Sequence, residues 1–314
     1  MDRDSIDWRG YIPAITTPFN ERFELDLQML RDLLEWLNQE QMHGIVVAGT
    51  TGEWFSMSTE EKVALFRTTG ETLRGKMSLI AGCNAFTANE TISLASVAKE
   101  SGFNGVLVTP PPYVRPSDEG VYAFYKDIND AVDIPVCIYN WPPGTGIDMG
   151  LELLERLCDL EMVVALKNST GDSDKFYREA RALHDRVRIF GLPMNEQGVR
   201  LLDDGVADGL MGSGAVLGRN QPMFFEEYWR GEVKSALRYG AMDRVIMNEW
   251  FDDNFIARFG SAQAIMKTAL NLQGLPGGMP RRPILPLSDE ETDLVRRSLE
   301  SLKILEDYGE AKRL

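Results

Sequence analysis

Short apolar runs alternate with longer amphipathic stretches along most of the chain. The runs are Tyr11–Ile15, Gly44–Val47, Ser78–Ala81, Gly105–Thr109, Pro135–Tyr139, Val163–Lys167, Arg188–Phe190 and Gly209–Met211. The stretches between them carry helical spacing, as in Leu27, Leu30, Leu33, Leu34 and Leu37. Ser58 with Glu61 and Thr87 with Glu90 have the form of capping boxes, and Ser117 before Asp118 and Glu119 marks another helix start. Strands that alternate with helices predict a parallel sheet. Eight such units, with no nucleotide-binding fingerprint after the early strands, predict an α/β fold: a closed (β/α)8 TIM barrel over residues 1–232. Past Met211 the strand signal stops. Residues 233–314 predict a C-terminal helical region, broken by Gly274-Leu275-Pro276-Gly277-Gly278 and by the proline-rich stretch from Pro280 to Pro286.

Composition narrows the partners. The 314 residues are 44% hydrophobic, enough for a full core, and hold 33 Lys and Arg against 48 Asp and Glu, a formal charge of −15. That balance argues against nucleic acid and anionic membranes but leaves room for an acidic small molecule in a locally positive site. The polar start from Met1 to Trp8 lacks the features of a secretory signal, and no apolar run approaches the about 18 residues of a membrane span. Cys83, Cys137 and Cys158 are widely spaced and predict buried free thiols. A cytoplasmic protein is expected. With only His43 and His184, a three-histidine metal site is excluded, and no metal or cofactor is expected.

In such barrels chemistry gathers at the C-terminal ends of the strands. Lys167 closes the apolar run Val163-Val164-Ala165-Leu166, where burial would favour a neutral, nucleophilic amine. Tyr139 ends the preceding run, so the two side chains are expected side by side, with the phenol placed to move protons. Thr50 and Thr51, between Gly49 and Gly52, offer hydroxyl and N–H donors for a small carboxylate. Each residue also has a plainer reading: a lysine snorkelling to solvent, a tyrosine packed in the core, an ordinary tight turn.

Together, Gly49-Thr50-Thr51-Gly52-Glu53, Tyr139-Asn140-x-Pro142 and Lys167 resemble the dihydrodipicolinate synthase/N-acetylneuraminate lyase family. Pro18-Phe19, Thr109-Pro110, Ser117 and Thr145-Gly146-Ile147-Asp148 extend the resemblance. It implies a Schiff base between Lys167 and pyruvate or another 2-oxo acid, with no cofactor beyond that imine. It implies that Tyr139 relays protons, that Thr50 and Thr51 hold the oxo-acid carboxylate, and that Thr51 hydrogen-bonds Tyr139. Tyr113 matches the second tyrosine of the relay, lent by a neighbouring subunit, although Pro110-Pro111-Pro112 adds a residue there. Met211 and Ser213 match backbone that lines the pocket. The family also implies a homo-oligomer, a tetramer or a dimer.

One position departs from the synthases. Where they carry an arginine that grips the second substrate's carboxylate, this chain has Gly144. Such a charged hydrogen bond contributes about 1.5–3 kcal/mol, roughly one to two powers of ten in affinity. Trp141 and Trp54 put aromatic surface at this mouth instead, and Arg115 is a candidate distal cation. The expected function is therefore aldol cleavage or condensation involving pyruvate. The alternatives are dehydration of a deoxy-oxo sugar acid through the same imine, dihydrodipicolinate synthesis, and non-catalytic binding of a 2-oxo acid.

Overall fold

The computed structural model describes residues 1–305. Eight strands run in parallel: β1 Gly10–Tyr11, β2 Gly44–Val47, β3 Ser78–Gly82, β4 Gly105–Val108, β5 Val136–Asn140, β6 Val163–Asn168, β7 Arg188–Phe190 and β8 Gly209–Leu210. From β2 to β8 each strand pairs with the next in sequence, and β1 pairs with β8. The ring closes past the end of β1, where Ala14 bridges both Val46 and Ser213. β1 is shorter than its apolar run predicts. Pro13 lacks a backbone N–H and interrupts the ladder, so Ile15 and Val46 N–H donate instead to Val46 and Pro13 carbonyls, respectively, at 3.0 and 2.8 Å.

The strands read as nearly continuous apolar runs because both faces are covered. One face fills the barrel interior with Trp8, Ile12, Val46, Ile80, Cys137 and Phe190 among others, all buried. The other packs against the surrounding helices in a larger buried cluster. Ser58 and Glu61 form the full capping box of the helix Thr59–Leu73. Thr87 forms only half of one: its hydroxyl accepts from Glu90 N–H, while the Glu90 carboxylate turns to that same hydroxyl at 3.1 Å. All three cysteines are free and buried.

Beyond the barrel lie the helices Val233–Trp250, Ala262–Leu272 and Asp289–Ser301. Gln273 ties them to the barrel by donating to the Val216 carbonyl at 2.9 Å, and buried Trp250 joins two of the helices by donating to Ser298 Oγ at 2.9 Å. Residues 306–314 of the expected helical region lie outside the described residues. Among the described residues no helix is long and apolar enough to cross a membrane.

Candidate active site

Side chains alternate along a strand, so residues two apart share a face. In β5 and β6, Cys137 and Tyr139 face the barrel interior beside Ala165 and Lys167. Tyr139 and Lys167 are direct register partners across the β5–β6 pair. The amine of Lys167 stands 4.2 Å from the centre of the Tyr139 ring. The intervening residues turn the other way, and Asn140 and Asn168 pair at 3.3 Å. Asn168 in turn donates to Glu179 at 2.6 Å, which fixes both strand ends from outside the barrel.

Lys167 is 6% exposed, and burial pulls its ammonium down to about 8 from the ordinary 10.5. Near pH 7 roughly one molecule in ten then carries a neutral amine, against about one in three thousand for an exposed lysine. This residue does not snorkel to solvent. Burial pushes the Tyr139 phenol the other way, well above its usual range, so it stays protonated; Ser169 is its hydrogen-bonding neighbour and partly offsets the shift.

The β2 loop brings Thr50 and Thr51 to the same cavity, of about 620 Å³, that Tyr139 and Lys167 line; Met211 and Ser213 line it too. One expectation needs correcting. The Thr51 hydroxyl pairs with Ser213 Oγ at 3.3 Å, and no bond to Tyr139 occurs among the described residues. Val46 of β2 and Ser213 after β8 both bridge to Ala14, which sets the end of β2 and its loop beside Ser213, while Tyr139 lies on the separate β5–β6 pair.

The β2 loop is held from behind by the C-terminal helices. Glu53, in the left-handed region at φ 56°, buries its carboxylate 2.5 Å from the Lys267 ammonium. Lys267 also donates to the Met279 carbonyl at 2.8 Å, and Arg281 N–H donates to Glu53 at 2.8 Å. Gln263 donates to the Thr50 carbonyl at 3.1 Å. Sequence reasoning missed Ser169, Gln263 and Lys267. Ser169 lies two residues past Lys167, a spacing that signals the same face; the other two are more than two hundred positions from the loop they support, with no local signal.

Tyr113 is not in this cavity. It is 91% exposed and lines an adjoining cavity of about 780 Å³, which shares Thr50, Trp141, Pro143 and Gln263 with the first. Trp54 and Arg115 line the same outer space. The Arg115 guanidinium lies on the turn at Gly146, where an added Cβ would stand 2.5 Å from its Nε.

Trp141 stacks on Tyr139 with planes 4° apart and ring centres at 6.3 Å. The ring also covers Gly144: a Cβ there would stand 2.1 Å from Trp141 Cε3. The indole thus occupies the space through which a side chain at 144 would leave the backbone. Gly144 and Trp141 are one structural choice.

The chain matches the dihydrodipicolinate synthetase family over residues 7–302. It is 29% identical over 305 residues to a 4-hydroxy-tetrahydrodipicolinate synthase of Oceanobacillus iheyensis, covering 96% of this chain and 98% of the relative. Against the enzyme of the same name from Bacillus velezensis it is 31% identical over 280 residues, covering 88% and 93%. Among solved structures, the chloride-inhibited dihydrodipicolinate synthase of Acinetobacter baumannii in complex with pyruvate superposes with a TM-score of 0.83. That structure is 27% identical, with 93% of this chain and 98% of that chain covered.

Proposed function

This chain belongs to the dihydrodipicolinate synthetase family, and from that premise we propose that it joins pyruvate to an aldehyde, or splits the product, through an imine on Lys167. It is a lyase of that family, whose enzymes use a lysine Schiff base and no external cofactor. The observation that carries the residue assignment is the buried amine of Lys167, partly neutral near pH 7 and in register with Tyr139.

The neutral amine adds to the C2 carbonyl of the oxo acid and gives a carbinolamine. Tyr139 passes a proton to the departing oxygen, water leaves, and the iminium forms. Thr50 and Thr51, with Ser213 and Met211 completing the wall, hold the oxo-acid carboxylate at the loop that Glu53 and Gln263 brace. Loss of a C3 proton then gives an enamine, whose carbon attacks the aldehyde; hydrolysis of the new imine frees the product and the lysine. Tyr113, exposed and outside its own chain's cavity, serves as the second relay tyrosine in a neighbouring subunit, so the active form is at least a dimer.

Among finer readings, 4-hydroxy-tetrahydrodipicolinate synthesis has the support of the relatives' names. Gly144 beneath Trp141 weighs against it, because the residue that would grip the second substrate's carboxylate there is absent. A dehydratase using the same imine comes next, and a non-catalytic binder has no use for a buried amine. Pyruvate with aspartate semialdehyde, followed by product absorbance, separates the synthase from an aldolase of another aldehyde. Efficient turnover establishes the synthase; none, alongside pyruvate release from a 4-hydroxy-2-oxo acid, establishes a different aldolase. A dehydrated oxo acid without carbon–carbon cleavage would overturn both in favour of the dehydratase.

A further inference from the structure

The cavity around Lys167 is also lined by the C-terminal region, through Arg244, Met247 and Asn248 of the helix Val233–Trp250 and Phe251 and Phe255 after it. At about 620 Å³ it falls in the range that takes ligands far larger than a three-carbon acid. Arg244 is exposed on this wall, and among the described residues no ion pair or hydrogen bond engages its guanidinium. Its neighbour Asp243 also lines the cavity but is buried and committed elsewhere, accepting from Gln221 at 2.8 Å. Burial raises the Asp243 carboxyl to about 6, so near pH 7 it is still mostly charged.

An unpaired guanidinium on a largely apolar wall is a ready partner for a carboxylate, which it takes through two parallel hydrogen bonds. A single arginine beside an aspartate suits a monoanion better than a doubly charged phosphate. We propose that Arg244 determines specificity in this site by binding a carboxylate at the end of the substrate distal to the imine. The inference rests on the imine reading of Lys167. It moves the recognition lost at Gly144 to a different element of the fold, so the second substrate is an aldehyde acid, and the cleavable substrate a 2-oxo acid with a carboxylate tail.

The test is reductive trapping with cyanoborohydride, read by peptide mass spectrometry at Lys167 across ligand concentrations. Pyruvate tests the imine itself. Three 2-oxo diacids (2-oxoglutarate, 2-oxoadipate and 2-oxopimelate) are compared with the monoacids of equal length. The expected result is a half-saturating concentration ten- to a hundred-fold lower for at least one diacid than for its monoacid, roughly what one charged hydrogen-bonded pair provides. In Arg244→Met that ratio collapses toward one, and in Arg244→Lys it recovers in part. Where the methionine variant fails to trap even the monoacids, Arg244→Gln supplies the same ratio. Equal saturation of diacids and monoacids in the parent, or a preference that survives loss of the arginine, overturns the proposal and leaves the imine reading standing. Failure to trap any oxo acid at Lys167 removes both.

Discussion

Replacing Gly144 by alanine should cost stability where an ordinary helical glycine would gain it. The residue lies in the short helix Pro142–Thr145, and glycine to alanine in a helix normally contributes about 0.5–1 kcal/mol. Here the new methyl would stand 2.1 Å from Trp141 Cε3 and 2.2 Å from Cζ3. Carbon atoms settle at about 3.5–4.0 Å, so the indole must move by roughly 1.5 Å and give up its stacking on Tyr139. Overpacking of this kind costs about 1–3 kcal/mol. The assay is a double-mutant cycle of Gly144→Ala and Trp141→Ala, with unfolding followed by urea. With tryptophan present the alanine is expected to destabilise; with Trp141→Ala it should give the helical gain, a coupling of about 1–3 kcal/mol. Coupling below about 0.5 kcal/mol would show that the indole yields freely. The account of why no arginine stands at 144 would then be wrong.

Further expectations concern the lysines and the relay. Imine formation with pyruvate should rise with pH to a plateau with a midpoint near 8, the value to which burial lowers Lys167; a rate still climbing past pH 10 would place the amine in water. The depressed folded value also means that the unfolded chain binds more protons between about pH 8 and 10.5, so stability increases with pH across that window. Lys167→Met should therefore raise stability at pH 7, by about 1–3 kcal/mol, while abolishing turnover; thermal melts against pH check both the sign and the window. Tyr139→Phe keeps the stacked ring and should slow turnover by about 10²–10⁴-fold while trapping at Lys167 persists, as single-turnover kinetics would report. Lys267→Met leaves the Glu53 carboxylate buried without its cation and should cost about 3–5 kcal/mol, with Glu53→Gln/Lys267→Met milder than the single change; equal losses would deny the pair its role.

The barrel was legible because every strand is buried on both faces and so reads as an apolar run. The Tyr139–Lys167 pairing was legible for a related reason: each closes its run, and parallel register carried one to the other. The partner of Thr51 was not, since it depends on how the ring closes around Ala14, which Pro13 decides by interrupting β1. Gly144 stood out as a missing arginine, but only the position of the Trp141 ring explains it. The bracing of the β2 loop by Gln263 and Lys267, and the arrival of Arg244 at the cavity, depend on docking of the C-terminal helices. Helical spacing in those segments announces buried faces without saying what they cover.

The central claim is the imine on Lys167, and borohydride reduction in the presence of pyruvate, followed by peptide mass spectrometry, tests it most directly. The account predicts one reduced pyruvyl adduct, on the peptide carrying Lys167, and none in Lys167→Met. An adduct on another lysine, or none with any 2-oxo acid from folded protein, would contradict it.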